Sequence, residues 1–325
     1  MKRFVAGKNE QDVRLSRFVQ SVTYRMSSSL LYKSFRNKRV KVNGKKAAPD
    51  DRLKMGDVIE LYINDEFFLS DSAPQKKVKH PKHSLCVVYE DENIAALYKP
   101  AHLLCHSDRT GDISLLDLFI QYLTQKGEYI PQAEAYFSPA LCNRLDRGTE
   151  GIVLAAKNYN ALRCLNQIIR EDKLQKQYLC VTCGVPPRGR HVAWLRHDEK
   201  KNKVRVIQNQ APEYKQIITE VEVVDTHGPF SLCRIGLVTG RTHQIRAHLA
   251  FLKAPILGDI KYGNRRLNEK MNVKTQLLCA EKVSFENLED SCPLAYLSGK
   301  SICLEHPGIL DRFENLTSKK EGTKA

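Results

Sequence analysis

The stretch Asn143–Lys157, N-R-L-D-R-G-T-E-G-I-V-L-A-A-K, constrains this chain more than any other. It closes on Ile152–Ala156, a continuous apolar run led by Gly151, which reads as a buried strand. It opens on one acid, Asp146, set between Arg144 and Arg147. A second stretch about a hundred residues on, Thr239–Leu249 (T-G-R-T-H-Q-I-R-A-H-L), packs two arginines, two histidines and a glutamine into one short segment. A carboxylate with dedicated cationic partners suggests chemistry on a polyanion.

The rest of the chain alternates strand and helix signals. Leu85–Tyr89 and Ile94–Tyr98 flank a polar turn, and Lys99-Pro100 ends the second strand because proline cannot continue a ladder. Ser114–Leu123 reads as a helix, and Asn160–Arg170 as an amphipathic one with Leu162, Leu165, Ile168 and Ile169 on one face. Gln177–Cys183, Ser231–Val238 and Leu277–Phe285 read as strands, and Thr242–Leu252 as a helix with Ile245, Leu249 and Leu252 as its buried stripe. No internal repeat is present. The class is α+β with an extensive sheet.

Charge divides the chain. It holds 52 Lys+Arg against 37 Asp+Glu, an excess of 15, which favours nucleic acid over an acidic membrane surface. Residues 1–82 carry 10 of those 15 charges, so a small basic front end precedes a nearly balanced body. No apolar leader occupies the first residues and no run is long enough to span a membrane, so the expected compartment is the cytoplasm. The ten cysteines sit mostly in apolar runs, which predicts scattered buried thiols rather than disulfides.

In the front end, Leu15, Phe18, Val19 and Val22 fall at helical spacing, as do Leu30, Leu31 and Phe35. Val40 and Val42 alternate with basic residues before Asn43-Gly44, a hairpin turn signal, and Arg52–Ile63 supplies another strand. Composition alone would make the basic residues a solvated face. The spacing of Arg14-Leu15, Ser27–Ser29 and V-K-V-N-G-K, however, resembles the S-four-like RNA-binding module, named after a ribosomal protein. Ser28 and Lys38 depart from its usual Arg and Gly. The resemblance makes Arg14, Arg36, Arg39, Lys41 and Lys45 candidates for RNA contact.

Asp146 could serve as nucleophile, general base or metal ligand, or simply stand in a surface ion pair. No second acid stands near it in a metal-binding pattern, and Arg144, Arg147 and Arg241 are the cations available to offset its desolvation. His243 and His248 lie five apart and share no helical face, and Cys180-x-x-Cys183 is a single pair, so neither segment reads as a zinc site.

N-R-L-D-R-G-T-E-G closely resembles the central motif of RluA-type pseudouridine synthases. R-T-H-Q-I-R-A-H-L with P-I-L-G-D-I-K-Y-G (Pro255–Gly263) resembles their third motif. Tyr89–Pro100, ending in Lys-Pro, and Lys176-Gln177-Tyr178 extend the match in order across about 85–304. The implied fold is a pseudouridine synthase core with a large mixed or antiparallel sheet and a central cleft, preceded by the small α/β RNA-binding module. The division expected is a module at 1–69 (core about 12–68), a linker at 70–84, a catalytic domain at 85–316 and a polar tail at 317–325.

The resemblance also implies roles. Asp146 falls on the catalytic aspartate, acting as nucleophile on the sugar or as the base that starts elimination. Tyr178 falls on the tyrosine that packs against the base and is a candidate for later proton abstraction. Arg241 falls on the basic partner of the aspartate. Arg144 falls on the arginine that helps extrude the uridine, with Arg147 beside it on the RNA. Asn143, Glu150 and His102 depart from the usual His, Ser and Gly. Pseudouridine formation is an isomerisation and requires no cofactor or metal. The implied partner is RNA, ribosomal (large subunit) before transfer, with no membrane, and the chain is expected to be a monomer. A non-catalytic RNA-binding or ribosome-assembly factor, and a nucleic-acid hydrolase, are the alternatives.

Overall fold

The structure is a computed structural model that describes residues 1–24, 26–68, 84–108, 111–131, 136–198 and 203–318. The first 68 residues form a four-stranded antiparallel sheet with two helices. Its strands are β1 (Lys2–Val5), β2 (Val40–Val42), β3 (Lys45–Lys46) and β4 (Val58–Leu61), in the order β1-β4-β2-β3. Helices α1 (Leu15–Val22) and α2 (Ser28–Arg36) bury Leu15, Phe18, Val19, Leu31 and Phe35 against the sheet, as their spacing predicts. Ser27 caps α2 by accepting from Leu30 N–H. Asn43 and Gly44 both take positive φ between β2 and β3, which matches the right-handed twist of the flanking strands. Tyr136 stacks on Phe18, and Tyr159 N–H donates to Asn9, which joins this unit to the body.

The body is built on one eleven-stranded sheet. Its strands are β5 (Cys86–Glu90), β6 (Ile94–Lys99), β7 (Ala140–Leu141), β8 (Glu150–Ala156), β9 (Leu174–Cys183), β10 (Gly189–Asp198), β11 (Lys203–Ile207), β12 (Lys215–His227), β13 (Phe230–Leu237), β14 (Leu278–Phe285) and β15 (Ser301–Cys303). The order is β11-β10-β12-β13-β9-β14-β8-β6-β5, with β15 beside β14 and β7 beside β8. The β14–β8 pair is parallel and the rest antiparallel, so the sheet is mixed. Helices α3 (Leu115–Gln125), α4 (Tyr159–Arg170), α5 (Gln244–Phe251), α6 (Arg265–Met271) and α7 (Ile309–Ser318) complete it. Among the described residues no helix is long and apolar enough to cross a membrane.

β8 explains its own sequence. Val153 and Ala155 face a core that includes α3, Tyr178 and Ile245, while Ile152, Leu154 and Ala156 face the core under α4. A strand covered on both faces offers no polar position past Glu150, whose charge is met by Arg312. At its start Gly151 has φ +119°, and a Cβ there would lie 2.3 Å from Ala280 O on β14. Only glycine lets the two backbones approach this closely.

Several expectations need correction. α5 runs Gln244–Phe251 rather than from Thr242, because His243 takes a left-handed conformation (φ +55°). Its buried surface is no stripe: Gln244 through Leu249 are all buried, since β11 and β12 pack on it as well as the central core. The cysteines are not all thiols: Cys164 on α4 and Cys292 form a disulfide, because α4 packs against the segment preceding β15. Cys86 and Cys303 are free and exposed. β1, β10–β12, α6 and α7 answer to no predicted element. The expected linker (70–84) lies almost wholly outside the described residues. The expected tail loses Thr317 and Ser318 to α7, and its remainder also lies outside them.

Candidate active site

Asp146 lies in the loop between β7 and β8, where a turn is closed by Thr149 N–H donating to Asp146 O at 3.0 Å. Side chains from elsewhere brace that loop. Gln276 Nε2 donates to Thr149 Oγ1 at 2.7 Å, and Leu145 N–H donates to Cys105 Sγ at 3.3 Å. Lys99, fully buried at the end of β6, donates from Nζ to the carbonyls of Pro100, Leu103 and Arg147. Burial lowers the Lys99 pKa to about 8, partly offset by the charges of nearby groups, Asp146 among them.

Asp146 keeps its side chain about a quarter exposed, and its cation is Arg246, not Arg241. Arg246 Nη1 donates to Asp146 Oδ2 at 2.8 Å, while Nε and Nη2 grip both oxygens of Asp259 at 2.7 and 3.0 Å. The guanidinium also lies over the Tyr262 ring, 5.4 Å from its centroid. Asp259 is completely buried and accepts from Lys261 N–H and Tyr262 N–H too. Burial works against both charges, yet the bonds and mutual attraction outweigh it: Asp259 is held below the usual carboxylate range, and Arg246 above its usual value. A planar fork that serves two carboxylates at once is a task for arginine and not lysine.

Arg241 misses this network for a geometric reason. It precedes the turn at His243 and is exposed, whereas Arg246 projects from the buried helix α5. Arg241 lines the rim of the cavity instead. Both arginines belong to one motif, so their spacing could not separate them. The signal for Arg246 was the acid Asp259 at the end of the apolar run P-I-L-G, which needs a buried cation.

Tyr178 projects from β9 into the same place and is buried. Asp146, Tyr178, Arg144, Arg241 and Arg246 line one cavity of about 290 Å³. A second cleft of about 610 Å³ shares Arg144, Asp146 and Arg246, and adds Arg147, His102 and Lys274. Burial, with the charge of Asp146 behind it, raises the Tyr178 pKa well above the ordinary phenol value, so the hydroxyl keeps its proton. Arg144 and Arg147 are exposed at the mouths of these cavities. Arg14, Arg36, Arg39, Lys41 and Lys45 are in the N-terminal unit and line neither one. Among the described residues no cluster of His, Cys, Asp or Glu could hold a metal ion.

The departures also find places. Asn143 Oδ1 accepts from Leu154 N–H at 2.7 Å. Glu150 is buried and forms an ion pair with Arg312 of α7, with the Tyr98 hydroxyl donating to it at 3.4 Å. His102 occupies a left-handed position and its Nε2 meets Thr275 Oγ1 at 2.7 Å.

Comparison with known proteins identifies the family. The RNA pseudouridylate synthase family profile matches residues 93–251. An uncharacterized RNA pseudouridine synthase of Mycoplasma capricolum is 30% identical over 317 residues, covering 96% of this chain and all of that protein. Ribosomal large subunit pseudouridine synthase C of Buchnera aphidicola is 30% identical over 308 residues, covering 89% of this chain and 93% of its own. Among solved structures, human RNA pseudouridylate synthase domain containing 4 shares the fold, with a TM-score of 0.54 at 20% identity, over 72% of this chain and 92% of that one.

Proposed function

The chain belongs to the RNA pseudouridylate synthase family and is an RNA pseudouridine synthase, an isomerase; we propose that Asp146 is its catalytic carboxylate. The observation that carries this reading is the Arg246 fork, which joins Asp146 to Asp259 beside a buried tyrosine. Two carboxylates share one guanidinium, so this trio keeps a net negative charge. Asp259 is completely buried, and Asp146 is the partner left open to the cavity.

The reaction breaks the bond from ribose C1′ to uracil N1, turns the base and joins C1′ to C5. The C5 proton is lost and N1 gains one, so nothing is consumed. Asp146 acts on the ribose, either at C1′ or by taking the sugar proton that starts elimination. Tyr178, held protonated, serves as the platform for the extruded base rather than as a free phenolate base; stacking of this kind is worth about 1–3 kcal/mol. Unstacking a uridine costs a few kcal/mol, roughly the same scale, and Arg144, which lines the cavity, is assigned to filling the gap it leaves. Arg241 and Arg147 are assigned to the phosphates at the rim.

The proposed substrate is large-subunit ribosomal RNA, with transfer RNA second; support comes from what the Buchnera relative's name says of that protein. The proposed division is an RNA-binding module over 1–69, S-four-like in type, and a catalytic domain over 85–316. The exposed basic residues of the module and its separate core support it. The proposed state is a monomer and the proposed compartment is the cytoplasm.

A pseudouridine map of total RNA from cells with and without the gene tests the reading. A site should vanish on deletion and return with the unaltered protein but not with Asp146→Asn. Rescue by Asp146→Asn would refute the assignment of Asp146.

A further inference from the structure

His243 is held in a strained backbone. Its φ of +55° is a conformation that costs a residue with a side chain about 1–2 kcal/mol. It stands at the cap position of α5, yet its side chain caps nothing there. Its ring spans the gap between two other groups. Nδ1 lies 2.9 Å from the Tyr262 hydroxyl, and Nε2 lies 3.8 Å from Asp146 Oδ2.

The hydrogen-bond order at Tyr262 selects the tautomer. Tyr262 Oη accepts from Val204 N–H at 2.9 Å. Its own proton then has His243 Nδ1 as its acceptor. Burial raises the Tyr262 pKa, so that proton stays on the phenol. We assign Nδ1 as the acceptor, the arrangement that gives the phenol proton a partner, which puts the ring's N–H on Nε2, facing Asp146. Burial also depresses the His243 pKa to about 4, with Arg246 and Lys261 adding to the effect and Asp146 opposing it, so the ring is neutral at pH 7. At 3.8 Å the Nε2–H is not yet a full hydrogen bond. It converges on the oxygen that Arg246 already holds, and among the described residues no hydrogen bond or ion pair engages Oδ1.

We propose that His243, oriented by Tyr262, is a positioning residue for Asp146: its neutral Nε2–H and the Arg246 guanidinium together fix Oδ2, leaving Oδ1 as the oxygen that meets the ribose. This rests on Asp146 being the catalytic carboxylate. A neutral donor suits the task. It orients the carboxylate without cancelling the net negative charge that the Asp146–Arg246–Asp259 trio retains. An imidazolium would cancel it.

Single-turnover kinetics on an unmodified transcript spanning the site that disappears on deletion tests the proposal, with Tm measured for each variant. Tyr262→Phe keeps the ring under Arg246 and removes only the hydroxyl. His243→Leu removes the donor, and His243→Gln restores an N–H at similar reach. Tyr262→Phe and His243→Leu should each lower the rate at saturating enzyme on the order of tenfold, the scale of one hydrogen bond, with RNA affinity unchanged. His243→Gln should recover most of that loss. The Tyr262→Phe/His243→Leu double variant should be no slower than His243→Leu alone, because the tyrosine acts through the histidine. Wild-type rates in both single variants, or losses that multiply in the double, overturn the proposal. Asp146→Asn run in parallel keeps the two readings apart: if it is inactive while both single variants keep the wild-type rate, only the role of His243 fails; if it turns over, the assignment of Asp146 fails with it.

Discussion

At Arg246 and Arg241 the same residue type in the same motif meets two different fates. Arg246 is buried and makes three hydrogen bonds to two carboxylates; Arg241 is exposed at the rim. Arg246→Lys supplies one compact ammonium where a fork is required, and should cut the isomerisation rate on the order of a hundredfold, comparable to losing one aligned donor in an active site. Arg241→Lys should leave that rate within a few-fold and act, if at all, on RNA affinity. Rate and affinity measured side by side for both variants decide it; equal rate losses would contradict the geometry. Residue scale is also where the family departures become intelligible. Lys38, in the proposed S-four-like module, and His102 stand where the resemblance has glycine, and both take positive φ, +60° and +71°. The backbone conformation that glycine would supply is retained and the chain tolerates the strain.

At the scale of elements, β8 is legible because burial on both faces left no polar residue in its apolar run. Its junction with β14 depends on one atom that is missing. Gly151→Ala would place a Cβ within 2.4 Å of both Ala280 O and Ala280 N, neither of which can move without breaking the sheet. The substitution should cost about 3 kcal/mol, at the upper end for overpacking, seen as a lowered midpoint in urea. An unchanged midpoint would mean that β8 and β14 are not this close. β12 shows the opposite case. Ile217, Thr219, Val221 and Val223 point inward and Glu220 and Glu222 outward, a period-two alternation confined to the middle of a strand of 13 residues, and no strand is predicted there although the pattern is present. α5 is harder to read: Ile245 and Leu249 are buried as their spacing predicts, but the polar Gln244, Arg246 and His248 are buried with them, which no apolar stripe announces.

Across the whole molecule, two buried histidines set a pH dependence. His243 and His248 are both depressed to about 4, chiefly by burial. Below the ordinary histidine value of about 6.5 the unfolded chain takes up protons that the fold refuses. Their contribution is therefore complete above that value and is lost as pH falls towards 4. Glu90, held to about 2 by Lys157, Tyr122 and Lys126 against the cost of burial, loses its contribution only in more acidic solution. Tm should fall between pH 7 and pH 5, and His248→Gln should fall less steeply over that interval. Parallel slopes would show that His248 is not held neutral by the fold. Long-range charge belongs to the same scale. Replacing Arg36, Arg39, Lys41 and Lys45 with glutamine should weaken RNA binding and flatten its salt dependence. The logarithmic slope should fall by up to about 0.7–0.9 for each phosphate that is no longer neutralised. An unchanged slope would remove the N-terminal unit from the RNA interface.

The sequence by itself determined the family and picked out the candidate site: an aspartate between two arginines before an apolar strand, a tyrosine on another strand, and an arginine-rich motif to join them. These are local patterns, and local patterns survive in one dimension. Which arginine holds Asp146, and what orients His243, was decided only in three dimensions. Arg246 meets Asp146 from a hundred residues away and Asp259 from 13, while Tyr262 and Val204 meet across 58. Such pairings follow from where β8, α5 and the segment after it are packed together, and the burial that makes each bond necessary exists only once they are.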